Sequence, residues 1–389
     1  MNKWVKISDY LFFQEGPGVR NNQYTSEGVK LLNVANLVNG EVDLSTSNRY
    51  ILVEEAYGKY KHFLADEGDL IIASSGIKVE YFDKKMGFIK KEHLPICMNT
   101  STIRFKSLDI NKLNINYFMY YLKSQSFKSQ LSKQITGSAQ LNFGPSHLKK
   151  MKFPIVSLNE QLLINSILGN LDNQIRLKEK QIIEYDSLIK SRFVELFLNK
   201  NYGYKSLKDL LKSKAEYGAA SASVPYENGR PRYVRITDIN DDGTLNNDTV
   251  CSINTQDDID YKLEYGDFLF ARMGATVGKT YAFIEGNEIF AGYLIRYKLD
   301  LNKINPRYLF AYTKTNEYNM WVKNNQSGAA QPGINAKKYD LLPVPVPPIE
   351  LQNEFASFVK QVDKLKFAIQ ASLEETRKLF DSLMQKYFG

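Results

Sequence analysis

Cysteine and histidine are scarce in this chain, two of one and three of the other in 389 residues. Cys97 and Cys251 lie far apart and form no spacing pattern. That excludes a disulfide-stapled scaffold and makes a reducing, cytoplasmic setting the expectation. His62, His93 and His147 stand apart from one another and from the cysteines, so the sequence holds no Cys/His spacing for a metal. Long apolar runs are also missing: none approaches the roughly 18 residues a membrane-spanning helix needs. The opening Met1-Asn2-Lys3-Trp4-Val5-Lys6 alternates polar and apolar residues and lacks the apolar core of a signal peptide. What is present, 43% hydrophobic and 24% charged residues, fits a water-exposed globular protein. The length favours two or more domains over one core. Lysine and arginine outnumber acidic residues 51 to 43, for a net charge of +8 and a pI near 9.0. That balance permits a polyanionic partner without selecting one.

The stretch 157–197 reads as one long helix. Ile164, Leu168, Leu171, Ile175, Ile182, Tyr185, Ile189 and Leu196 recur at spacings of three and four, interrupted only by Lys178 and Arg192. This is a heptad seam, which calls for a partner helix carrying the same stripe. The C-terminal stretch supplies it: moved by the step that lays Gln161 on Gln352, the positions Phe355, Val359, Val362, Ile369, Leu373, Phe380, Leu383 and Tyr387 fall in one frame. Asp172 lands on Asp363 and Phe197 on Phe388. Ser157-Leu158-Asn159-Glu160 is a capping-box pattern, and the second helix opens after Pro347-Pro348, proline suiting a first helical turn. Each helix spans about 40 residues, or roughly 60 Å. Two long helices in an ordinary core would show similar stripes; the shared frame at equivalent places in a repeat favours pairing.

The repeat extends over the whole chain. Trp4–Leu11 resembles Tyr204–Leu211, and Leu32-Asn33-Val34-Ala35-Asn36-Leu37 resembles Val234-Arg235-Ile236-Thr237-Asp238-Ile239, each a strand running into a turn. Gly68-Asp69-Leu70-Ile71-Ile72-Ala73-Ser74-Ser75-Gly76 matches Gly266-Asp267-Phe268-Leu269-Phe270-Ala271-Arg272-Met273-Gly274, a Gly-Asp turn feeding a buried strand that ends at glycine. Ile103-Arg104-Phe105 pairs with Ile295-Arg296-Tyr297. From Asp109 onward no gap is needed. Tyr117–Gln134 and Tyr308–Asn325 are aromatic-rich helical stretches whose spacing favours core packing over stacking platforms for single strands. They end at Thr136-Gly137-Ser138-Ala139-Gln140 and Ser327-Gly328-Ala329-Ala330-Gln331. The order is globular unit, long helix, globular unit, long helix. Such a chain resembles a symmetric dimer whose copies have been fused, with a pseudo-two-fold axis. An antiparallel pair of rods would hold two unlike readers apart, and readers on one DNA face need roughly 34–36 Å between half-sites.

These features together, with Phe153-Pro154-Ile155-Val156-Ser157-Leu158-Asn159-Glu160-Gln161 and Val344-Pro345-Val346-Pro347-Pro348-Ile349-Glu350-Leu351-Gln352 opening the two helices, closely resemble the specificity subunit of type I restriction-modification enzymes. The resemblance covers the whole chain and rests on an ordered set of features, not on one motif. It implies an α+β fold: two mixed α/β target-recognition domains (1–155 and 200–346) and two conserved spacer helices (156–199 and 347–389) forming an antiparallel coiled coil. It implies recognition of a split, asymmetric sequence in double-stranded DNA. It further implies docking of modification subunits, two in number, on the helices, with restriction subunits joining the full complex. It also implies that the chain itself catalyses nothing and needs no cofactor, methyl transfer from S-adenosylmethionine belonging to the modification subunit and ATP-driven translocation and cleavage to the restriction subunit.

Catalytic readings of the residues themselves are weak. Gly274-Ala275-Thr276-Val277-Gly278-Lys279-Thr280 is one residue short of a phosphate loop, whose glycines need four residues between them. Asn305-Pro306-Arg307-Tyr308 fails at the third position of the Asn/Asp-Pro-Pro-aromatic clamp of amino-methyltransferases and reads better as a helix start. Asp241-Asp242, Asp257-Asp258 and Asp260 read as turn residues. Two rivals stay open at this stage, a coiled-coil adaptor with no DNA role and a single-chain DNA methyltransferase.

Binding chemistry is what remains. Base edges are read by Arg/Lys and Asn/Gln, phosphates by cations, hydroxyls and backbone N–H groups. The loop after each Gly-Asp strand offers Ser74, Ser75 and Lys78, and Arg272, Thr276, Lys279 and Thr280. The loop ending each aromatic helix offers Lys133, Thr136, Ser138 and Gln140, and Asn325, Gln326, Ser327 and Gln331. Arg20, Asn21, Asn22 and Gln23, with Arg230, Arg232 and Arg235, form a third candidate surface. The two copies differ most in the loops after the Gly-Asp strands, as two readers of different half-sites should.

Overall fold

The structure, a computed structural model, describes residues 3–134, 142–198, 200, 202–254, 259–328 and 332–389. The chain divides into two compact units, one of residues 1–177 with 372–389, the other of residues 178–371. Each takes in one globular region and parts of both long helices.

In the first unit the central sheet has β1 (Leu11–Glu15), β2 (Leu70–Ala73), β3 (Met86–Phe88) and β4 (Thr102–Ser107) in the order β1-β4-β2-β3. The interior of β2, Leu-Ile-Ile-Ala, is buried along its length, as expected of a central strand covered on both faces. A smaller sheet beside it pairs Val29–Leu32 parallel to Ile96–Met98 and antiparallel to Tyr50–Ile51. Lys3–Lys6 pairs antiparallel with Lys152–Ile155 and closes the unit. Three helices follow the sheet, α1 (Ile115–Lys123), α2 (Gln125–Gln134) and the short α3 (Pro145–Leu148). Their aromatic residues are core: Tyr117, Phe118, Tyr121 and Phe127 are fully buried.

The second unit repeats this plan. β5 (Glu216–Tyr217), β6 (Asp267–Ala271), β7 (Thr280–Ala282) and β8 (Leu294–Lys298) run in the equivalent order β5-β8-β6-β7. Arg232–Val234 lies parallel to Glu288–Phe290, and Tyr204–Ser206 pairs with Pro343–Pro345. The helices are α4 (Pro306–Tyr312) and α5 (Asn316–Asn325).

The likeness reaches single hydrogen bonds. The Tyr117 and Tyr308 hydroxyls donate to the carbonyls of Pro154 and Pro345; Tyr121 and Tyr312 donate to those of Lys152 and Pro343. Gln161, fully buried, accepts from the Asn114 N–H and donates to the Lys112 and Val156 carbonyls. Gln352 does the same with Asn305, Lys303 and Pro347. Each Gly-Asp turn has its glycine at positive φ (+84° at Gly68, +97° at Gly266). Asp69 and Asp267 accept from the N–H three residues earlier and face Arg104 and Arg296 at 3.4 and 3.6 Å. Burial raises both carboxyls above their ordinary range, against the pull of those hydrogen bonds and cations.

The long helices run Leu158–Phe193 (α6) and Ile349–Phe388 (α7). The Ser157 hydroxyl accepts from the Glu160 N–H at 3.4 Å, one arm of the capping box. The first helix does not stay α-helical to its end: Val194–Leu198 forms a π turn, in which the rings of Phe193 and Phe197 sit 5.0 Å apart and both are buried. Within the first unit the start of α6 and the end of α7 share one core, Ile164 and Leu168 with Met384 and Phe388. Within the second, the end of α6 meets the start of α7, with Phe193 and Phe197 on Phe355 at 5.6 and 5.4 Å. The helices therefore pack antiparallel in each unit. Every seam position named from the sequence is buried or half-buried, while Leu162, Leu163, Leu177, Ile183, Leu188, Leu365, Phe367 and Leu379 stand exposed off the seam. Among the described residues no helix is long and apolar enough to cross a membrane.

Candidate nucleic-acid interface

Two of the loops chosen from the sequence are stitched together in each unit. In the first, Ser75 bridges Asn142, and the Phe143 N–H donates to the Ser74 carbonyl. In the second, Met273 and Ser327 both bridge Gly333, and the Ile334 N–H donates to the Arg272 carbonyl. The loop after the Gly-Asp strand and the chain returning from the aromatic helices thus form one edge at the end of the central sheet. Loops at strand ends on a rigid scaffold are where binding groups are best placed.

Strand register shows which residues stand at equivalent points of that edge. Ile103 pairs with Glu15 on β1, and Ile295 pairs with Tyr217 on β5. Thr102 pairs with Ala73, and Leu294 with Ala271. The residues just beyond are therefore equivalent, Ser74 to Arg272 and Ser101 to Tyr293, and their backbone bonds agree: Ser74 N–H to Ser101 O at 2.8 Å, Arg272 N–H to Tyr293 O at 3.1 Å. Gly16 and Gly218 follow Glu15 and Tyr217. A Cβ would lie 2.1 Å from Asn99 O at the first and 2.3 Å from Ala291 O at the second, so only glycine fits where the small sheet crosses.

The chemistry at these equivalent points differs. In the first unit Ser74 is buried, and among the described residues its hydroxyl takes no well-formed hydrogen bond. Burial raises the neighbouring Glu15 carboxyl, a shift the Ser74 hydroxyl only partly opposes. Ser101 adopts φ 67°, a conformation that favours glycine, and its hydroxyl meets that of Ser75 at 2.6 Å. In the second unit the Arg272 guanidinium lies against two tyrosine rings, Tyr217 at 4.9 Å and Tyr293 at 5.8 Å. Its Nε donates to the Gly292 carbonyl at 3.2 Å. Of the residues at these points, Ser74 and Arg272 were candidates from the sequence, and Glu15, Tyr217, Ser101 and Tyr293 were not. The signal for the first pair is Glu15-Gly16 against Tyr217-Gly218 at corresponding places ahead of the Gly-Asp strands.

The other named residues divide by environment. Lys78, Lys133, Gln326 and Ser327 are exposed, and Ser75 and Thr276 half-buried, on or next to the stitched loops. Lys279 is half-buried, donating to Ile239 O and paired with the exposed Asp241 at 2.8 Å. Thr280 is buried with its hydroxyl on Thr313. With no long helix after them, these residues do not build a phosphate loop. Arg20 and Asn22 are exposed, while Gln23 is engaged by Glu55 and Tyr60. Arg230 pairs with Glu227, Arg232 holds Asn246 and Asn247, and Arg235 caps its own turn through Asp238 and Thr249. Thr136, Ser138, Gln140 and Gln331 lie outside the described residues, as do Asp257 and Asp258.

The scarce residue types serve local structure. The imidazole Nδ1 atoms of His93 and His147 accept the N–H groups of Lys90 and Gly144. Cys97 and Cys251 are free and buried, and burial pushes the Cys97 thiol up to about 12.

Two like-built units, each presenting a polar loop edge of different chemistry and each packed on long antiparallel helices, define a duplicated recognition protein. The sequence comparison gives the family. The model of the type I restriction modification DNA specificity domain matches twice, over residues 6–185 and 199–376, and the chain belongs to this family. It is a non-catalytic specificity subunit with DNA-recognition domains. Among relatives, it is 27% identical to the type I restriction enzyme MjaVIII specificity subunit of Methanocaldococcus jannaschii, over 52% of this chain and just under half (47%) of that one. It is 23% identical to the StySPI specificity subunit of Salmonella potsdam, over 94% of this chain and 83% of that one. Its fold resembles the crystal structure of the S subunit of a type I system from M. genitalium, with a TM-score of 0.63 and 17% identity, covering 100% of this chain and 96% of that chain. A second solved chain of a type I system gives a TM-score of 0.57 at 16% identity, covering 99% and 97%.

Proposed function

We propose that this chain selects the DNA target of a cytoplasmic type I restriction-modification complex by reading a bipartite, asymmetric sequence, one half-site per unit. Residues 1–155 and 200–346 are assigned to recognition, and 156–199 and 347–389 to spacing and docking. The observation that carries the reading is the stitched loop edge, built the same way in both units and furnished differently. Ser75, Lys78, Lys133, Arg20 and Asn22 in the first unit, and Arg272, Thr276, Gln326 and Ser327 in the second, are the groups proposed to face DNA. Ser74, Lys279, Thr280 and Arg235 are proposed to shape the edge from within.

Two modification subunits are proposed to dock on the long helices, restriction subunits completing the assembly. Leu162, Leu163, Leu177, Ile183 and Leu188 on the first helix, and Leu365, Phe367 and Leu379 on the second, exposed off the seam, are the groups proposed to meet them. Methyl transfer and cleavage are then the work of the partners.

The test is a half-exchange. Replacing residues 1–155 with the corresponding region of a relative, assembling the chain with its modification subunits and mapping methylated sites should change one half of the target and leave the other. Methylation that ignores the exchange, or that proceeds without this chain, refutes the proposal. A non-DNA adaptor is separated by titration, because each neutralised phosphate adds about −0.9 to the slope of log affinity against log salt.

A further inference from the structure

We propose that Arg272 is a base-reading residue of the second unit and that the base it reads is guanine, with Tyr217 and Tyr293 as the residues that position it. The inference rests on the DNA-reading role proposed above and adds to it a residue, a base and a geometry.

Three observations converge. The first is orientation. Arg272 is the first residue beyond β6, so its side chain stands at the loop edge and not in the sheet interior. It is half-buried, and its neighbours Tyr217 and Tyr293 are 45% and 54% exposed, so the three together lie at the surface.

The second is immobilisation without neutralisation. The guanidinium rests on two rings, and its Nε donates to Gly292 O. Neither Nη atom takes a hydrogen bond or an ion pair among the described residues. An arginine on a protein surface ordinarily finds a carboxylate or stays mobile. Among the described residues this one has no carboxylate partner, while its rotamer freedom is already reduced and its forked N–H face is left unused. That fits a planar, bidentate acceptor arriving from outside, and guanine presents one in the major groove at O6 and N7.

The third is how firmly the clamp is built. Tyr217 ends the two-residue strand β5, and its neighbour Glu216 is gripped by the buried Arg296 from β8. On the other side Gly218 presses against the Ala291 carbonyl. The Tyr217 hydroxyl accepts the Ala336 N–H at 3.4 Å. The ring is thus fixed by sheet register, by a buried cation and by close backbone packing. A phosphate contact needs only a flexible cation. Discrimination between bases needs a cation that cannot drift.

The first unit is the internal comparison. At the same three points it carries Glu15, Ser74 and Ser101, with no cation and no ring. A backbone-binding role common to both units would keep a positive charge at this position in both. Reversing the chemistry there is what two half-sites of different sequence require.

The experiment uses the chain assembled with its modification subunits. The target is first mapped by methylation with the unaltered chain; binding is then measured on duplexes carrying every single-base change in the half-site of the second unit. Arg272→Ala and Arg272→Lys are compared, the second keeping the charge and losing the fork. The expected result is loss of discrimination at one guanine, on the order of 10- to 100-fold, with the other half-site unchanged. Replacing that guanine by 7-deazaguanine, which removes N7, should weaken the unaltered complex and leave Arg272→Ala indifferent. Tyr293→Ala should reduce the same preference by less, without changing which base is preferred. If both Arg272 variants keep the guanine preference, or weaken all sequences by one common factor, Arg272 is not a base reader and the inference falls, the DNA-reading role standing. If the unaltered complex shows no sequence preference at all, the DNA-reading role falls and this inference with it.

Discussion

Replacing Gln161 by glutamate converts a satisfied buried amide into a pH-dependent fault, and the size of the effect follows from three distances. The amide accepts from Asn114 N–H at 2.9 Å and donates to Lys112 O and Val156 O, each at 2.9 Å. The residue is fully buried. Gln161→Ala removes three such bonds at roughly 1 kcal/mol each, for a loss of about 3 kcal/mol. Gln161→Glu keeps the acceptor for Asn114 but turns an oxygen toward two carbonyls. Ionisation there is disfavoured by burial and by those dipoles, so the carboxyl is expected to titrate above the usual value of about 4.3. The sign follows: a folded-state value raised above the unfolded one gives stability at low pH that is lost as pH rises through the folded value. The glutamate variant should be closest to wild type near pH 4 and lose ground toward pH 7, by at most about 1.4 kcal/mol per pH unit. Denaturant unfolding at several pH values measures this, and hydrogen exchange at the amides of residues 114–118 localises it. A glutamate variant whose deficit is the same at every pH, or an alanine variant that loses under about 1 kcal/mol, would refute the reasoning. Gln352→Glu should reproduce the behaviour in the second unit.

Gly218→Ala should destabilise the second unit by about 1–3 kcal/mol and disturb Tyr217, because its Cβ would meet the Ala291 carbonyl; a melting curve and second-half-site discrimination check both effects. Gly16→Ala should do the same beside Glu15 in the first unit, against the Asn99 carbonyl. Lys314, which donates to Asp241 O and lies over the Phe310 ring at 4.4 Å, has its amine pulled down to about 8 by burial, against the pull of Asp242 and Asp241. Its folded value lies below its unfolded one, so wild-type stability relative to Lys314→Met should rise between about pH 8 and pH 10, measured by denaturant midpoints; a pH-independent difference would count against it.

Much of the fold could be read in the chain because it is written in local spacing. The seam from Ile164 to Leu196, the Gly-Asp turns before β2 and β6, and the step from Gln161 to Gln352 each need only a short window or a constant offset. The loops were legible for the same reason, as polar stretches closing apolar segments. The environment of Arg272 was not. Tyr217, Arg272 and Tyr293 belong to three separate segments and meet only through the pairing of β5, β6 and β8, which no single window contains. The partners of Lys279 and Thr280 were hidden for the same reason. Lys279 and Thr280 are basic and hydroxylic residues in a glycine-bearing loop, and they pair with Asp241 and Thr313, distant in sequence. The π turn at Val194–Leu198 lacks a marker of its own, since the apolar spacing of Phe193 and Phe197 suits an α-helix equally well.

The division of labour along β2 and β6 has a consequence for inheritance. Their interiors pack the core, while the residues one step past their ends carry the groups that distinguish the two units. On the proposed reading, a lineage could rewrite those few terminal codons, and with them the groups each half offers to DNA, without having to discover the architecture again.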